Sequence, residues 1–152
     1  MSNRANYLKV APGAIEILFK QEQYLAERFT QHQQLNITIW ELLKLRISQI
    51  NQCAYCIDMH TKNALKSGES YERIIALSAW RDSPLYSQQE RSVLNWAELV
   101  TTQMSATDLQ YDKLSNTFDD AEIFDLTVAI NAINSWNRVA RIFQPVVGSY
   151  QA

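Results

Sequence analysis

Glycine and proline are scarce in this sequence, with three of each among 152 residues. Folds made of many β-strands need frequent turns, and glycine and proline supply the backbone conformations that those turns require. Strict alternation of apolar and polar residues, the period of a half-buried strand, is also missing over any useful length. These absences argue against a β fold and favour long helices joined by short loops. The sequence therefore predicts an all-α protein.

An excess of charge of one sign and long apolar runs are missing too. The net charge is −2, the sequence pI is about 5.7, and Lys and Arg form no block. The basic footprint of a nucleic-acid-binding protein and the polybasic patch of a membrane-surface protein are therefore not expected. No apolar run reaches the roughly 18 residues that a membrane span needs, and residues 1–6 lack the apolar segment of a signal peptide. We expect a cytoplasmic protein with neither nucleic acid nor membrane as a partner.

The overall composition is that of a globular protein, with 47% hydrophobic and 20% charged residues. A chain of 152 residues is long enough to bury a sizeable core and is typical of one domain, so residues 1–152 are expected to form a single domain. Helical spacing of apolar residues together with capping residues predicts about seven helices. Their expected starts are Pro12, Thr38, Cys53, Ser70, Ser87, Thr107 and Asp119.

Several local patterns support these starts. Ser87 with Glu90 and Asp119 with Glu122 have the spacing of a capping box. Gly68 suits the end of the helix that starts at Cys53. In the second long helix, apolar residues recur at i, i+4, i+8 and i+11 and predict a buried face, formed by Ile39, Leu43, Ile47 and Ile50.

The chain has only two cysteines, and both lie at one predicted helix start, as Cys53 and Cys56. Two thiols spaced C-x-x-C at a helix start can close a disulfide across one turn, and free N–H groups at a helix N-terminus favour the thiolate. His60 follows Cys56 by four residues, so the two side chains share a face of the helix. A base beside a thiol beside a second thiol is the minimum equipment for two-electron thiol redox chemistry.

Glu41 joins this group only if the chain folds back at Asn51 and Gln52. In one straight helix the 19 residues between Glu41 and His60 would span roughly 28 Å. In an antiparallel hairpin, Glu41 lies opposite residues 60–62 and can accept a hydrogen bond from one imidazole nitrogen of His60. That bond fixes the tautomer and raises the basicity of the other nitrogen. Glu41, His60 and Cys56 would then form a proton relay, and Cys53 would resolve a sulfenic acid on Cys56 as a disulfide.

Other interpretations of these residues stay open. Cys53 and Cys56 could be small buried apolar residues, or could hold zinc together with His60. Glu41 could be a solvated residue that pairs with Lys44. Three further residues are weighed and given no catalytic role: His32 is expected to be exposed and idle, whereas Trp136 and Arg138 are expected in the core or in a subunit interface.

The sequence resembles the alkylhydroperoxidase D-like proteins of the carboxymuconolactone decarboxylase superfamily. The residues that carry the resemblance are Glu41 to Arg46 (ELLKLR), Cys53 to His60 (CAYCIDMH), Ala76 to Trp80 (ALSAW) and Asn134 to Arg138 (NSWNR), within residues 38–140. The resemblance implies a helical fold, trimers or hexamers, and thiol peroxidase activity toward hydrogen peroxide and organic hydroperoxides. No cofactor or metal is implied.

The resemblance also implies roles for individual residues. Glu41, Cys53, Cys56 and His60 match the family's site, where the counterpart of Cys56 attacks the peroxide and that of Cys53 resolves the intermediate. An external dithiol would reopen the disulfide. Tyr55 departs from the best-known peroxidases, which have a histidine between the cysteines. A phenol, with an unperturbed pKa of about 10, is a poor base near pH 7, so Tyr55 is expected to be a hydrogen-bond donor or a pocket wall.

A second hypothesis is of a different class. The chain could be a non-catalytic helical oligomer that senses redox state or binds a partner, with a disulfide that alters its packing. The tyrosine at position 55 and the lack of a visible docking motif for a reductant motivate this alternative.

Overall fold

The computed structural model describes residues 4–103 and 105–152, and over these ranges its regular secondary structure is helical, with no β-strand. Eight α-helices and one 3-10 helix follow one another along the described chain. They are α1 (Tyr7–Val10), α2 (Pro12–Gln31), α3 (Ile37–Ile50), α4 (Ala54–Lys66), α5 (Tyr71–Ala76), the 3-10 helix (Leu77–Ala79), α6 (Gln88–Gln103), α7 (Asp108–Ser115) and α8 (Asp120–Phe143). None of these helices combines the length and the apolar character that crossing a membrane requires.

The predicted capping signals are confirmed at most helix starts. Asp119 and Glu122 form a reciprocal capping box at α8, and Ser87 and Glu90 exchange the same two bonds at α6. Gly68 follows α4 with a φ of +97°, a left-handed conformation that glycine adopts without strain. Side-chain hydrogen bonds therefore mark the starts of α6 and α8, and a left-handed glycine follows the end of α4.

Two helix starts differ from the prediction. The Asn36 side chain, not Thr38, caps α3, since its Oδ1 accepts a hydrogen bond from the N–H of Ile39 at 2.9 Å. An additional short helix, α1, precedes Pro12 and is capped by Asn6. At α3 the cause is that asparagine competes well as a cap, and sequence alone does not show which of two nearby polar residues adopts the cap conformation. Helix α1 is only four residues long, too short for an apolar period to reveal.

Helix α3 lies at the centre of the molecule and packs against α2, α4, α6 and α8. The main core fills the space between α2, α3, α6 and α8, where the rings of Phe29 and Trp40 stack at a centroid distance of 5.4 Å. A second core cluster lies between α3, α4, α6 and the segment around the 3-10 helix. Helix α3 is buried nearly all round, so two of its three charged side chains, Glu41 and Lys44, are held inside the protein.

His32 was expected to be exposed and idle, and this expectation is wrong. Its side chain is only 6% exposed, and its Nε2 lies 2.8 Å from Oδ2 of Asp125. Asp125 also accepts hydrogen bonds from Tyr24 and Arg28, both at 2.9 Å. This cluster joins the end of α2 to α8. The sequence did not reveal it because Asp125 lies more than 90 positions from each of its three partners.

Trp136 and Arg138 differ in their surroundings. Trp136 packs against the main core, which was one of the two locations predicted for it. Arg138 is exposed and donates to the backbone carbonyl of Asn134 at 2.8 Å, so its placement in the core of the chain is wrong.

The α3–α4 turn is fastened to α8 by buried amides. The Asn51 amide donates to Oδ1 of Asn134 at 2.8 Å and to Oδ1 of Asn137 at 2.9 Å. Asn137 in turn donates to Oγ of Ser48 at 3.0 Å. Asn137 is fully buried. A buried polar group that loses its partner costs free energy, so this network specifies how the turn sits on α8.

We predict that Asn137→Ala lowers the free energy of unfolding by about 1–3 kcal/mol, because Asn51 and Ser48 lose a buried partner. Asn131→Ala is the matched control, since Asn131 is an exposed asparagine of the same helix. It should change stability by less than about 0.5 kcal/mol. Urea unfolding of both variants measures the difference. Equal effects would show that the network does not hold the turn.

Candidate functional site

The turn between α3 and α4 creates the site. Gln52 adopts a left-handed conformation with a φ of 54°, and the N–H of Cys53 donates to the carbonyl of Ser48 at 3.0 Å. The chain thereby reverses, and α4 starts at Ala54. Cys53 is the N-cap of α4, and its Sγ accepts from the N–H of Cys56 at 3.4 Å. The reversal brings the first turn of α4 beside the last turns of α3.

Cys53 and Cys56 are joined by a disulfide, with their Cα atoms 5.3 Å apart. Both residues are only 2% exposed and pack against Ala140 and Tyr55. Both cysteines are thus buried, as the interpretation of the pair as small apolar residues expected, but they are bonded to each other rather than packed as two free thiols. The zinc interpretation needs free thiolates, which a disulfide does not provide. Within residues 4–103 and 105–152, no group of three or more His, Cys, Asp and Glu side chains is placed to hold a metal ion.

Glu41 and His60 meet across the helical hairpin, as the fold-back hypothesis requires. Oε2 of Glu41 lies 2.9 Å from Nδ1 of His60. Glu41 is 6% exposed and His60 is 4% exposed, so both are inside the protein. The interpretation of Glu41 as a solvated residue is wrong, although the expected pairing with Lys44 exists, at 2.6 Å from Oε1.

The charge state of Glu41 follows from its neighbours. Burial by itself would raise the pKa of Glu41, but the hydrogen bond from His60 and the positive charge of Lys44 outweigh burial and lower the pKa overall. Glu41 is therefore a carboxylate at neutral pH. A carboxylate only accepts hydrogen bonds, so the proton in this contact belongs to Nδ1 of His60.

The second nitrogen of His60 is left free. Burial lowers the pKa of His60 below its ordinary value, and the hydrogen bond to Glu41 only partly offsets this. The ring is therefore neutral at pH 7, with its proton on Nδ1. Within the part of the chain that the structure describes, Nε2 is a buried atom without a hydrogen-bond partner. A neutral imidazole with a free Nε2 is equipped to accept a proton from a nearby group, and Cys56 lies one turn earlier on α4.

Access to the disulfide is from the side of Cys53. A cleft of about 350 Å³ is bounded by the start of α4, the end of α8 and the C-terminal tail. It is lined by Gln52, Cys53, Ala54, Tyr55, Ala140, Arg141, Gln144, Pro145 and Val147. Cys56 and His60 do not line it. An outside molecule in this cleft would therefore meet the disulfide at Cys53.

Tyr55 forms part of the wall of this cleft. Burial, with a smaller contribution from Tyr150, raises the pKa of Tyr55 above its ordinary value. The phenol is consequently protonated at neutral pH and is available only as a hydrogen-bond donor or as a wall.

Two features of the site were not predicted from sequence. Lys44 was considered only as a partner of a solvated Glu41, whereas it is itself buried, at 5% exposure. The C-terminal tail was given no role, yet Tyr150 packs on α4: its hydroxyl donates to Asn63 at 2.9 Å, and its carbonyl accepts from Lys62 at 3.0 Å. The i, i+3 spacing of Glu41 and Lys44 was a signal for the first feature. No local pattern signals the second.

Comparison with known proteins agrees with this architecture. The model of the carboxymuconolactone decarboxylase family matches residues 22–99. The uncharacterized protein YdfG of Bacillus subtilis is 39% identical over 142 residues, which cover 92% of this chain and 93% of YdfG. The chain belongs to the carboxymuconolactone decarboxylase family.

Solved structures show the same fold. A protein of unknown function from Agrobacterium tumefaciens, described as a candidate antioxidant defence protein AhpD, has a TM-score of 0.87 and 38% identity, covering 99% of both chains. The debrominase Bmp8 has a TM-score of 0.78 at 15% identity, covering 91% of this chain and 73% of its own. The fold is thus alkylhydroperoxidase D-like, and proteins with this fold differ in the reactions assigned to them.

The buried Glu41–Lys44 ion pair generates a stability prediction. We expect Glu41→Met to lower the free energy of unfolding by about 3–5 kcal/mol, because it leaves the Lys44 charge buried without its partner. Glu16→Met breaks an ion pair with Lys20 whose side chains are 65% and 70% exposed, and it should cost less than about 1 kcal/mol. Urea unfolding at pH 7 compares the two variants. If Glu41→Met lowered the free energy of unfolding by no more than Glu16→Met does, the ion pair would contribute no more than an exposed one.

Proposed function

We propose that this protein is a thiol peroxidase that reduces hydrogen peroxide or organic hydroperoxides through Cys53 and Cys56. One observation supports the proposal above the others: a C-x-x-C disulfide lies within one helical turn of a neutral histidine whose proton position is set by a buried carboxylate. Membership of a peroxidase-related family and the fold shared with a candidate antioxidant defence protein support it as well.

The reaction starts from the reduced pair. Nε2 of His60 accepts the thiol proton of Cys56, and the resulting thiolate attacks one oxygen of the peroxide. A sulfur–oxygen bond forms, the oxygen–oxygen bond breaks, and the leaving oxygen departs as water or an alcohol with the proton returned by His60. The sulfur of Cys56 is thereby oxidised by two electrons to a sulfenic acid.

The second half-reaction closes the disulfide. The thiol of Cys53 attacks the sulfenic sulfur, a disulfide forms and water leaves. An external dithiol then reduces the disulfide and is itself oxidised to a disulfide. Because Cys53 faces the cleft, the incoming thiolate would attack Cys53 and release Cys56 as the leaving thiolate. Glu41 takes no part in bond making and holds the His60 ring in position.

We predict that Cys56→Ser and Cys53→Ser both abolish multiple turnover with hydrogen peroxide and a supplied dithiol, but for different reasons. Cys53→Ser should still form a sulfenic acid on Cys56, which dimedone traps and mass spectrometry locates. Cys56→Ser should form none. Thr61→Ser, a conservative change on the same helix, is the control and should keep wild-type turnover. If dimedone instead trapped a sulfenic acid on Cys53 of the Cys56→Ser variant, Cys53 would be the attacking cysteine and Cys56 the resolving one.

The same experiment distinguishes the peroxidase from the alternative function, a non-catalytic oligomer that senses redox state or binds a partner. In the oxidised chain both cysteines are only 2% exposed and only Cys53 lines the cleft, so exchange with outside molecules is restricted. Slow exchange suits a redox-sensing or partner-binding oligomer better than an enzyme that must turn over repeatedly. A sensor would form and lose its disulfide reversibly without sustained peroxide consumption. Negligible wild-type turnover together with a reversible disulfide would therefore replace the peroxidase proposal with the sensor.

We also propose that the chain assembles into a homo-oligomer, a trimer or a hexamer. Support comes from large apolar side chains left in contact with solvent on α2 and near the C-terminus, among them Ile17, Phe19, Ile142 and Val146, which are 54–70% exposed. Light scattering coupled to size exclusion measures the mass directly. The expected result is three or six copies, and a monomer at every concentration would contradict the proposal.

A further inference from the structure

Lys44 is the least expected charged residue in the protein. It is 5% exposed, and lysine is almost never so buried unless it is paired. Its ammonium lies 2.6 Å from Oε1 of Glu41 and 3.5 Å from the centroid of the Trp40 ring. A carboxylate and an aromatic face are both favourable partners for an ammonium group, so the burial of Lys44 is offset by two contacts.

The two oxygens of Glu41 are divided between two partners. Oε1 accepts from Lys44, and Oε2 accepts from Nδ1 of His60 at 2.9 Å. The imidazole therefore faces an ion pair with no net charge rather than a lone carboxylate. This difference matters because a lone buried carboxylate beside an imidazole favours the imidazolium. Both nitrogens of an imidazolium carry protons, and Nε2 would then accept nothing.

Among the described residues, the charged groups that act on the pKa of His60 both lie on α3. Glu41 raises the pKa of His60 and Lys44 lowers it, while burial lowers it most. On α2, Glu22 accepts a hydrogen bond from Trp136 at 3.1 Å. Burial raises the pKa of Glu22, and the charges of Lys44 and Glu41 act on it in opposite directions. Within the part of the chain that the structure describes, Lys44 is thus the cation that lowers the pKa of His60.

We propose that Lys44 is a positioning residue of the site: by neutralising Glu41 it keeps His60 a neutral imidazole, with the proton on Nδ1 and Nε2 free to accept one. The assignment of Cys56 as the source of that proton rests on the proposed function. The charge state of His60 does not, and it can be measured in the oxidised protein without any turnover.

The alternative is that Lys44 only stabilises the fold through its ion pair with Glu41. Both roles predict a loss of stability when Lys44 is removed, so stability does not distinguish them. The titration of His60 does, because a purely structural role leaves the protonation of a folded His60 unchanged.

The experiment is nuclear magnetic resonance of the histidine rings as a function of pH. The chain has only two histidines, so His32, at the far end of α2, is an internal reference. In the wild type at pH 7, we expect His60 to be neutral with the proton on Nδ1. In Lys44→Met the midpoint of His60 should move to higher pH, whereas Lys44→Arg should leave it near the wild-type position and His32 should not move in either variant.

Two results would overturn the proposal: an unchanged His60 midpoint in a folded Lys44→Met protein, or an imidazolium at pH 7 in the wild type. The second needs no variant, so the proposal stays testable if Lys44→Met does not fold. If the wild type is a peroxidase, Lys44→Met should also need a higher pH for activity. Absence of peroxidase activity in the wild type would defeat the proposed function alone and leave the ring titration as the test of Lys44.

Discussion

The hydrogen bond between Glu41 and His60 exists only because α3 and α4 form an antiparallel hairpin. The two residues are 19 positions apart, and their side-chain atoms meet at 2.9 Å. That contact requires the turn at Asn51 to Cys53, which the buried amides of α8 hold in place. The same turn makes Cys53 the cap of α4 and sets the disulfide beside the histidine. The packing of the turn on α8 therefore fixes the positions of all four residues of the site at once.

Burial of charged side chains in α3 costs free energy, and hydrogen bonds and ion pairs between the buried groups offset that cost. A carboxylate, an ammonium and an imidazole are enclosed at 6%, 5% and 4% exposure. Each carboxylate oxygen has its own donor, and the ammonium also lies over an aromatic ring. Nε2 of His60 is the exception, since it is buried and has no partner among the described residues. An unsatisfied polar atom inside an otherwise satisfied cluster is where chemistry is expected.

Local chemistry made much of this structure predictable. Caps such as Asp119 and Ser70 act within one turn, so the sequence alone located the starts of α8 and α5. The C-x-x-C spacing and the histidine four residues later were equally local. The pairing of Glu41 with His60 could be predicted because Asn51 and Gln52 interrupt the apolar pattern and suggested a helical hairpin.

Features that depend on distant parts of the chain were not predictable in this way. The role of His32 depends on Asp125, which lies on α8, 93 positions away. The C-terminal tail packs on α4 through Tyr150, whose hydroxyl donates to Asn63, 87 positions away. Phe19 in α2 and Phe124 in α8 are large apolar residues, yet their side chains are exposed. Their exposure depends on which helix faces are covered, and periodicity does not report that.

Family membership does not by itself fix the reaction, since function depends on the residues of a site more than on the fold that carries it. The central claim is that Cys53 and Cys56 form one reversible two-electron centre beside His60. Intact-mass measurement of the reduced protein after one equivalent of hydrogen peroxide tests this claim most directly. The account predicts the loss of two hydrogen atoms per chain and a bridge between Cys53 and Cys56. Unchanged thiols, or added oxygen without a bridge, would contradict it.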